Sequence, residues 1–295
     1  MSSQNKPVFI AFGFVIAFMV IYVVLGSVGW GLPASNEQAI GEISRWCERV
    51  SAGIFREPSN ALSNLGFMIV GLFMFRTLSK DSDYLLGLNQ FFGHTPVSLL
   101  YAGSVIWLGA GSLLMHGTHT DWGASADNLS MVMYILIPWL FNLSQMGGWS
   151  NRKLLITYGF LVIVYGIGRE LLGARLGINL DLFEVSIALW CITELLYRFW
   201  SPRFRFLSGF SGFIVAAVFG IFPMEMLSQP EKYWWVILFW VPGLFSNYRP
   251  IAQRRYYPWF FLGMGTYFLA FTIWLTGRPG HPWCYPDSIF QAHAT

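Results

Sequence analysis

Charged residues are scarce in this sequence, where Asp, Glu, Lys and Arg make up only 11% of 295 residues. A soluble domain usually contains about 25% charged residues, so this content, with 55% hydrophobic residues, indicates a membrane protein. The net charge of +3 is small and scattered, which argues against nucleic-acid binding. Three cysteines without a CxxC spacing are too few for a disulfide scaffold. No convincing repeat or low-complexity segment is present.

Long hydrophobic runs predict an all-α, polytopic transmembrane bundle. The first run, residues 7–30, is too long for the apolar part of a signal peptide, so we expect an uncleaved helix. A connector is expected at 84–95, and a last helix begins near Pro286 with about ten residues left, too few to cross a bilayer. That helix is therefore expected to be re-entrant or truncated. The other expected spans are 57–75, 96–116, 127–143, 153–168, 182–196, 206–222, 233–245 and 258–276.

The distribution of basic residues predicts an orientation. Most of the 18 Lys and Arg residues fall at alternate connections, whereas nearly all acidic residues fall at the others. By the positive-inside rule, the N-terminus is cytoplasmic and the acidic connections face outward. The basic set is Lys6, Arg76, Lys80, Arg152, Lys153, Arg198, Arg203, Arg205, Arg249, Arg254 and Arg255.

A first polar motif lies where two hydrophobic runs meet. Ser112 and His116 are four residues apart and share one helix face, and Asp127 is expected to open the next helix on the same side. Polar groups at this depth are costly unless they pair or carry a function. Two interpretations remain open: a catalytic group, or two helix caps with an unrelated histidine.

A second motif, Glu57, Asn60 and Asn64, forms one stripe down a helix that enters the membrane. Such a stripe must face protein rather than lipid, either as part of a site or as interhelical hydrogen bonds. A third motif places Gln291 and His293 near the same outer surface. Because imidazole is a good zinc ligand, His116 and His293 together suggest a metal site.

These motifs resemble those of the alkaline ceramidases. The matching residues are Glu57, Asn60, Ser63 and Asn64; Ser112, His116 and Asp127; and Gln291 and His293. The ceramidases belong to a superfamily of seven-helix membrane hydrolases that includes the adiponectin and progestin receptors and GPI-lipid remodelling proteins. The resemblance covers residues 46–295 of a single domain spanning 1–295, with residues 7–30 as an extra N-terminal helix and two inserted helices after Leu196.

The resemblance implies a zinc ion held by His116, by His293 and by a third histidine at position 297, beyond the last residue given. His119 and His281 match no family position, and we do not expect either to replace it. Asp127 would orient a water activated by zinc and take its proton. Ser112 would donate to the developing oxyanion.

The resemblance also implies a calcium site and a disulfide. Trp46 (through its carbonyl), Glu48 and Glu57 match the family's calcium ligands, but Arg45 and Val50 replace two oxygen ligands, which argues against calcium. Arg45 is expected to pair with Glu48 or Glu57. The resemblance further implies a disulfide between Cys47 and Cys284.

The leading hypothesis is a zinc-dependent membrane hydrolase that cleaves the N-acyl amide bond of ceramide or a related lipid, with its site on the extracytoplasmic side. The alternative is a receptor-like or structural protein of the same superfamily without turnover. A transporter is a weaker third hypothesis, since no inverted repeat or pair of broken helices is evident.

Overall fold

The computed structural model describes residues 3–81, 90–252, 254 and 258–294. These residues form an all-helical fold, and the first half of the predicted connector at 84–95, residues 84–89, lies outside them. The long helices are α1 (Lys6–Val28), α3 (Leu65–Leu78), α4 (Pro96–Thr118), α5 (Asp121–Gly147), α6 (Asn151–Leu172), α7 (Leu182–Phe199) and α12 (Trp259–Trp274). The short helices are α2 (Pro58–Ser63), α8 (Pro202–Leu207), α9 (Ser211–Val218), α10 (Pro223–Ser228) and α11 (Val241–Phe245).

Five helical segments of the described chain are long and apolar enough to cross a membrane. They are α1, the near-continuous pair α2 and α3, α4, α5 and α6. The hydrophobic runs of the sequence predicted these segments. The segments are consistent with a polytopic membrane bundle. The seven-helix core and the orientation across the membrane remain predictions.

The chain divides into two compact units, Met1–Ser130 with Arg254–Thr295, and Met131–Gln253. The assignment of residues 1–295 to one domain stays a prediction. In the first unit, α3 and α4 pack closely because glycines occupy the contact. A Cβ added at Gly109 would lie 2.6 Å from the carbonyl oxygen of Asn64, and one at Gly71 would lie 2.4 Å from Ile106. Small residues allow such close approach between membrane helices.

The second unit contains α6, α7 and several short helices, and here one predicted span is wrong. The run at 206–222 does not form one helix: a 3₁₀ turn follows α8, α9 ends at Val218, and α10 starts at Pro223. Proline starts α8 and α10, and Gly220 has a φ of +83°. Both features favour an interrupted chain. The run at 233–245, which contains Pro242, forms a 3₁₀ helix followed by α11.

The prediction of a last α-helix from Pro286 is also wrong. Residues 286–291 form turns and irregular chain, and the only helical element described there is a 3₁₀ turn at Ala292–Ala294. The side chain of Gln291 donates to the carbonyl oxygens of Tyr285 and Ser288, at 3.0 and 2.6 Å. Local side-chain hydrogen bonds of this kind compete with helix formation. The segment is therefore held as a loop, which brings His293 toward α4.

Candidate metal centre

The loop that precedes α2 is tied to the C-terminal segment by a covalent bond and an ion pair. Cys47, at a φ of +76°, forms a disulfide with Cys284. The neighbouring Arg49 donates to both carboxylate oxygens of Asp287, at 2.7 and 3.0 Å. Its backbone N–H donates to the carbonyl of Pro286 at 2.9 Å. These links fix the chain on either side of the site.

The connection between α4 and α5 is shorter than expected. Asp127 does not open α5, which begins six residues earlier at Asp121. The reason is a cap at Thr120, whose side-chain oxygen accepts from the backbone of Gly123 at 3.2 Å. Asp127 therefore lies in the second turn of α5 and not at its start.

Helices α4 and α5 nearly touch at the level of the first motif. A Cβ added at Gly111 would lie 2.7 Å from the carbonyl oxygen of Ala126 and 2.6 Å from the side chain of Ser130. Ser112 and Asp127 each follow one of these contact residues in the chain. Ser112 is half-buried, and Asp127 lies close enough to His116 for an electrostatic interaction.

Glu57 lies at the centre of the site with its side chain only 1% exposed. Its backbone N–H donates to the carbonyl oxygen of His116 at 3.0 Å, which joins the start of α2 to the end of α4. His116 Nδ1 and Asn60 Nδ2 both donate to Glu57 Oε2, at 2.7 and 2.8 Å. His119 Nε2 donates to Oε1 at 2.7 Å. Burial raises the pKa of Glu57, but the hydrogen bonds from the two histidines outweigh it and lower the pKa below its ordinary value.

His116 and His293 face each other across the site. Their Nε2 atoms lie 3.2 Å apart, although the residues are separated by 177 positions in the chain. Two nitrogens bound to one tetrahedral zinc at 2.0–2.1 Å would be separated by about 3.3 Å. The same distance also fits a direct hydrogen bond between the two imidazoles.

His116 is oriented as a metal-binding histidine usually is. Its Nδ1–H donates to the Glu57 carboxylate, so in the neutral ring Nε2 carries a free lone pair on the side of His293. A carboxylate at the second ring nitrogen is the common outer partner of a zinc-bound histidine. The acceptor at Glu57 therefore determines both the tautomer and the direction of the ring.

His293 packs against two indoles that are themselves neighbours, with centroids 5.6 Å apart. Its ring stacks on Trp46 with centroids 4.3 Å apart and an angle of 18°, and Trp274 lies 5.8 Å away. Burial, and then the neighbouring His116, lower the pKa of His293 to about 3. Its imidazole is therefore neutral at physiological pH, which is the form that binds metals. Gly277 allows this approach, since an added Cβ there would lie 2.8 Å from the backbone nitrogen of His293.

The described residues can supply two zinc ligands, His116 and His293. No group of three His, Cys, Asp or Glu side chains able to hold a metal ion occurs within the described ranges. His119 directs its Nε2 at Glu57, and His281 accepts a hydrogen bond from the backbone of Trp283 at 3.2 Å. Two facing imidazoles, one of them backed by a carboxylate, thus form the described part of the candidate centre.

The residues predicted for calcium are used in other ways. Glu48 accepts from the backbone N–H groups of Ser59 and Asn60, at 2.7 and 2.8 Å, and so caps the start of α2. Burial raises the pKa of Glu48, against the lowering effect of these two amides. The expected pairing of Arg45 with Glu48 or Glu57 is wrong, because Arg45 pairs with Glu37, earlier in the same loop. A calcium site remains a prediction of the resemblance alone.

The remaining polar residues of the second motif support the start of the α2–α3 pair. Asn64 Nδ2 and Ser63 Oγ both donate to the carbonyl oxygen of Asn60, at 2.8 and 2.9 Å. Asn60 and Asn64 are buried, so this side of α2 faces protein.

Two features of the site were missed by sequence reasoning. His119 was considered only as a replacement ligand, and Trp46 only through its carbonyl, whereas its indole packs on His293. The spacing of His116 and His119, three residues apart at a helix end, was the available signal for the first. No local pattern indicates the second. Comparisons with family models, curated proteins and solved structures found no match to this chain.

Proposed function

We propose that this protein is a zinc-dependent membrane hydrolase that cleaves the amide bond of an N-acyl lipid such as ceramide. The observation that carries the proposal is the 3.2 Å separation between His116 Nε2 and His293 Nε2, with Glu57 on the other nitrogen of His116. A packing role alone does not require a buried and a half-buried imidazole to face each other with a carboxylate behind one of them.

Each residue has a role that follows from its place. Zinc, when bound, would supply Lewis-acid polarisation of the carbonyl and lower the pKa of a water. Glu57 holds the ring of His116, and the Trp46 indole holds that of His293. Asp127, within electrostatic range of His116, would accept a proton during attack. Ser112, one turn before His116, would donate to the oxyanion.

A groove beside His293 suits an acyl chain. Its volume is about 690 Å³, within the range of small-molecule sites. Residues on both sides of His293 in the chain line it, together with one face of α2 and the end of α12. Its apolar lining side chains include Leu62, Ile273, Trp283, Ile289 and Phe290. An apolar chain bound in this groove would lie beside the segment that carries His293.

The proposal is tested with the full-length protein in lipid nanodiscs, supplied with zinc and a fluorescent ceramide. We expect zinc uptake and release of the fatty acid, both lost in His116→Ala and His293→Ala. His281→Ala is the matched control and should retain both. Asp127→Asn should keep zinc and lose turnover by about 10²–10⁴-fold, the usual contribution of a general base.

The second candidate function is a receptor-like protein that binds the lipid without turnover. The observation that favours it is the 3.2 Å between His116 Nε2 and His293 Nε2, which also fits a direct hydrogen bond between the two imidazoles without a metal. Wild-type protein that binds zinc and ceramide but releases no fatty acid would support this candidate and contradict the hydrolase.

A further inference from the structure

His119 occupies a backbone position that is unfavourable for histidine. It follows the last residue of α4 with a φ of +52° and a ψ of +35°, in the left-handed region where helices often end in glycine. A residue with a Cβ pays about 1 kcal/mol for this conformation. Some interaction of the side chain is expected to offset that cost.

The side chain of His119 makes one described polar contact, and that contact is with Glu57. The residue is 3% exposed, Nε2 donates to Glu57 Oε1 at 2.7 Å, and the buried Nδ1 has no partner among the described residues. The hydrogen bond that His119 donates therefore goes to Glu57 Oε1, whereas His116 donates to Glu57 Oε2.

The two histidines hold the Glu57 carboxylate from both sides. His116 and Asn60 donate to Oε2, and His119 donates to Oε1. Without the donor at Oε1, that oxygen would be buried and unpaired, and the carboxylate could rotate to find another donor. Rotation would weaken the contact to His116 Nδ1, which sets the direction of His116 Nε2.

We propose that His119 is a positioning residue that holds Glu57 in the orientation needed to aim His116 Nε2 at the metal position. This inference rests on the proposed zinc function and deepens it. In this proposal, His119 orients the zinc ligand His116 and is not itself a ligand. Glu57 supports His116 and does not serve as a calcium ligand.

The experiment compares His119→Gln with His119→Met. Glutamine can still donate an N–H to Glu57 but is a poor zinc ligand, whereas methionine has similar bulk and no donor. Zinc affinity is measured by chelator competition on full-length protein, and cobalt substitution gives an absorption spectrum that reports coordination geometry. His281→Met is the matched control.

We expect His119→Met to bind zinc about 10-fold more weakly, at the lower end of the usual effect of outer partners, and to change the cobalt spectrum. His119→Gln and His281→Met should stay near wild type. Thermal unfolding should confirm that His119→Met remains folded, and His119→Gly, which relieves the left-handed strain, provides a second donor-free variant.

Three outcomes would overturn the inference. Equal zinc affinity in wild type, His119→Met and His119→Gly would show that the contact with Glu57 does not position His116. Equal loss in His119→Gln and His119→Met would show that the imidazole itself is required. A wild-type protein that takes up no zinc would overturn both this inference and the proposed function.

Discussion

The two units of the molecule bury different kinds of polar residue. Among the described residues, the buried Asp, Glu, Lys, Arg and His side chains all lie in the first unit: Glu48, Arg56, Glu57, His116 and His119. The buried polar side chains of the second unit are neutral: Asn142, Ser144, Ser186, Thr193, Ser208 and Ser246. All five histidines of the chain lie in the first unit, whereas the second unit contains Asp, Glu, Lys and Arg and buries none of those that the structure describes.

The contrast separates two uses of polar residues in membrane helices. In the second unit, Asn142 donates to Thr193 Oγ1 at 3.3 Å and to the half-buried Glu194 at 2.9 Å. Hydrogen bonds from a buried neutral amide of this kind join helices at a modest gain. In the first unit, several ionisable groups converge on one carboxylate. Burying them carries a much larger desolvation penalty than burying neutral groups that join helices. Burial of that kind points to a functional site.

The largest expected difference comes from removing one buried hydrogen-bond acceptor from each cluster. Glu57→Leu leaves donors on His116, His119 and Asn60 without a partner, so we expect a loss of about 3–5 kcal/mol in the free energy of unfolding. Thr193→Val keeps the shape and removes one weak acceptor, for a loss of about 1 kcal/mol. Denaturant unfolding in detergent measures both. Equal losses in the free energy of unfolding would show that the two clusters contribute equally to stability.

The cysteines give the next contrast, since the first unit holds the Cys47–Cys284 disulfide and the second holds the free Cys191. In denatured protein, a maleimide should label one thiol before reduction and three after it. The double variant Cys47→Ser, Cys284→Ser should lose about 2–5 kcal/mol of stability, as removal of native disulfides does. It should also weaken zinc binding, because the disulfide tethers the chain that carries His293.

Cys191→Ser is the control for the double variant. We expect it to leave zinc binding unchanged, since the thiol lies outside the candidate centre. Labelling of Cys47 and Cys284 before reduction would contradict the disulfide.

Much of the helical frame could be predicted because it depends on local patterns. A hydrophobic run of about 20 residues has few alternatives to a helix in a membrane, and α1, α4 and α6 follow such runs closely. The prediction for the run at 206–222 failed because it rested on hydrophobicity alone. The chain turns at Gly220, which has a φ of +83°, and a new helix starts at Pro223.

The candidate site could be predicted only in part, for a similar reason. Spacing shows that Ser112 and His116 share a face, but the distance from His116 to His293 depends on a loop and a disulfide that no local pattern encodes. His119 was missed because its role depends on a left-handed backbone at the end of α4. Glycine is the residue usually found at such a position, and histidine is uncommon there.

A smaller effect is expected from replacing one glycine by alanine in each unit, which compares how closely other atoms approach the two glycines. Gly277→Ala should push His293 away from α12, because the new Cβ would lie 2.8 Å from the backbone nitrogen of His293. We expect weaker zinc binding and a loss of about 1–3 kcal/mol of stability, typical of overpacking. Gly159→Ala, in α6 of the second unit, has nothing within 4 Å and should change neither. Unchanged zinc affinity in Gly277→Ala would contradict the contact.

The smallest expected effect lies at the surface, where the two units should not differ. The first unit has the exposed pair Arg49–Asp287 at 2.7 Å, and the second has Lys232–Glu225 at 3.5 Å. Exposed pairs contribute little, because water and salt screen them and ordering long side chains opposes them. Arg49→Met and Lys232→Met should therefore shift the unfolding midpoint only slightly, and less so at high salt. A large, salt-independent loss of stability in Arg49→Met alone would contradict this expectation. It would mean that the units differ at their surfaces as well as in their buried residues, because Arg49 links the first unit's loop to the segment before His293.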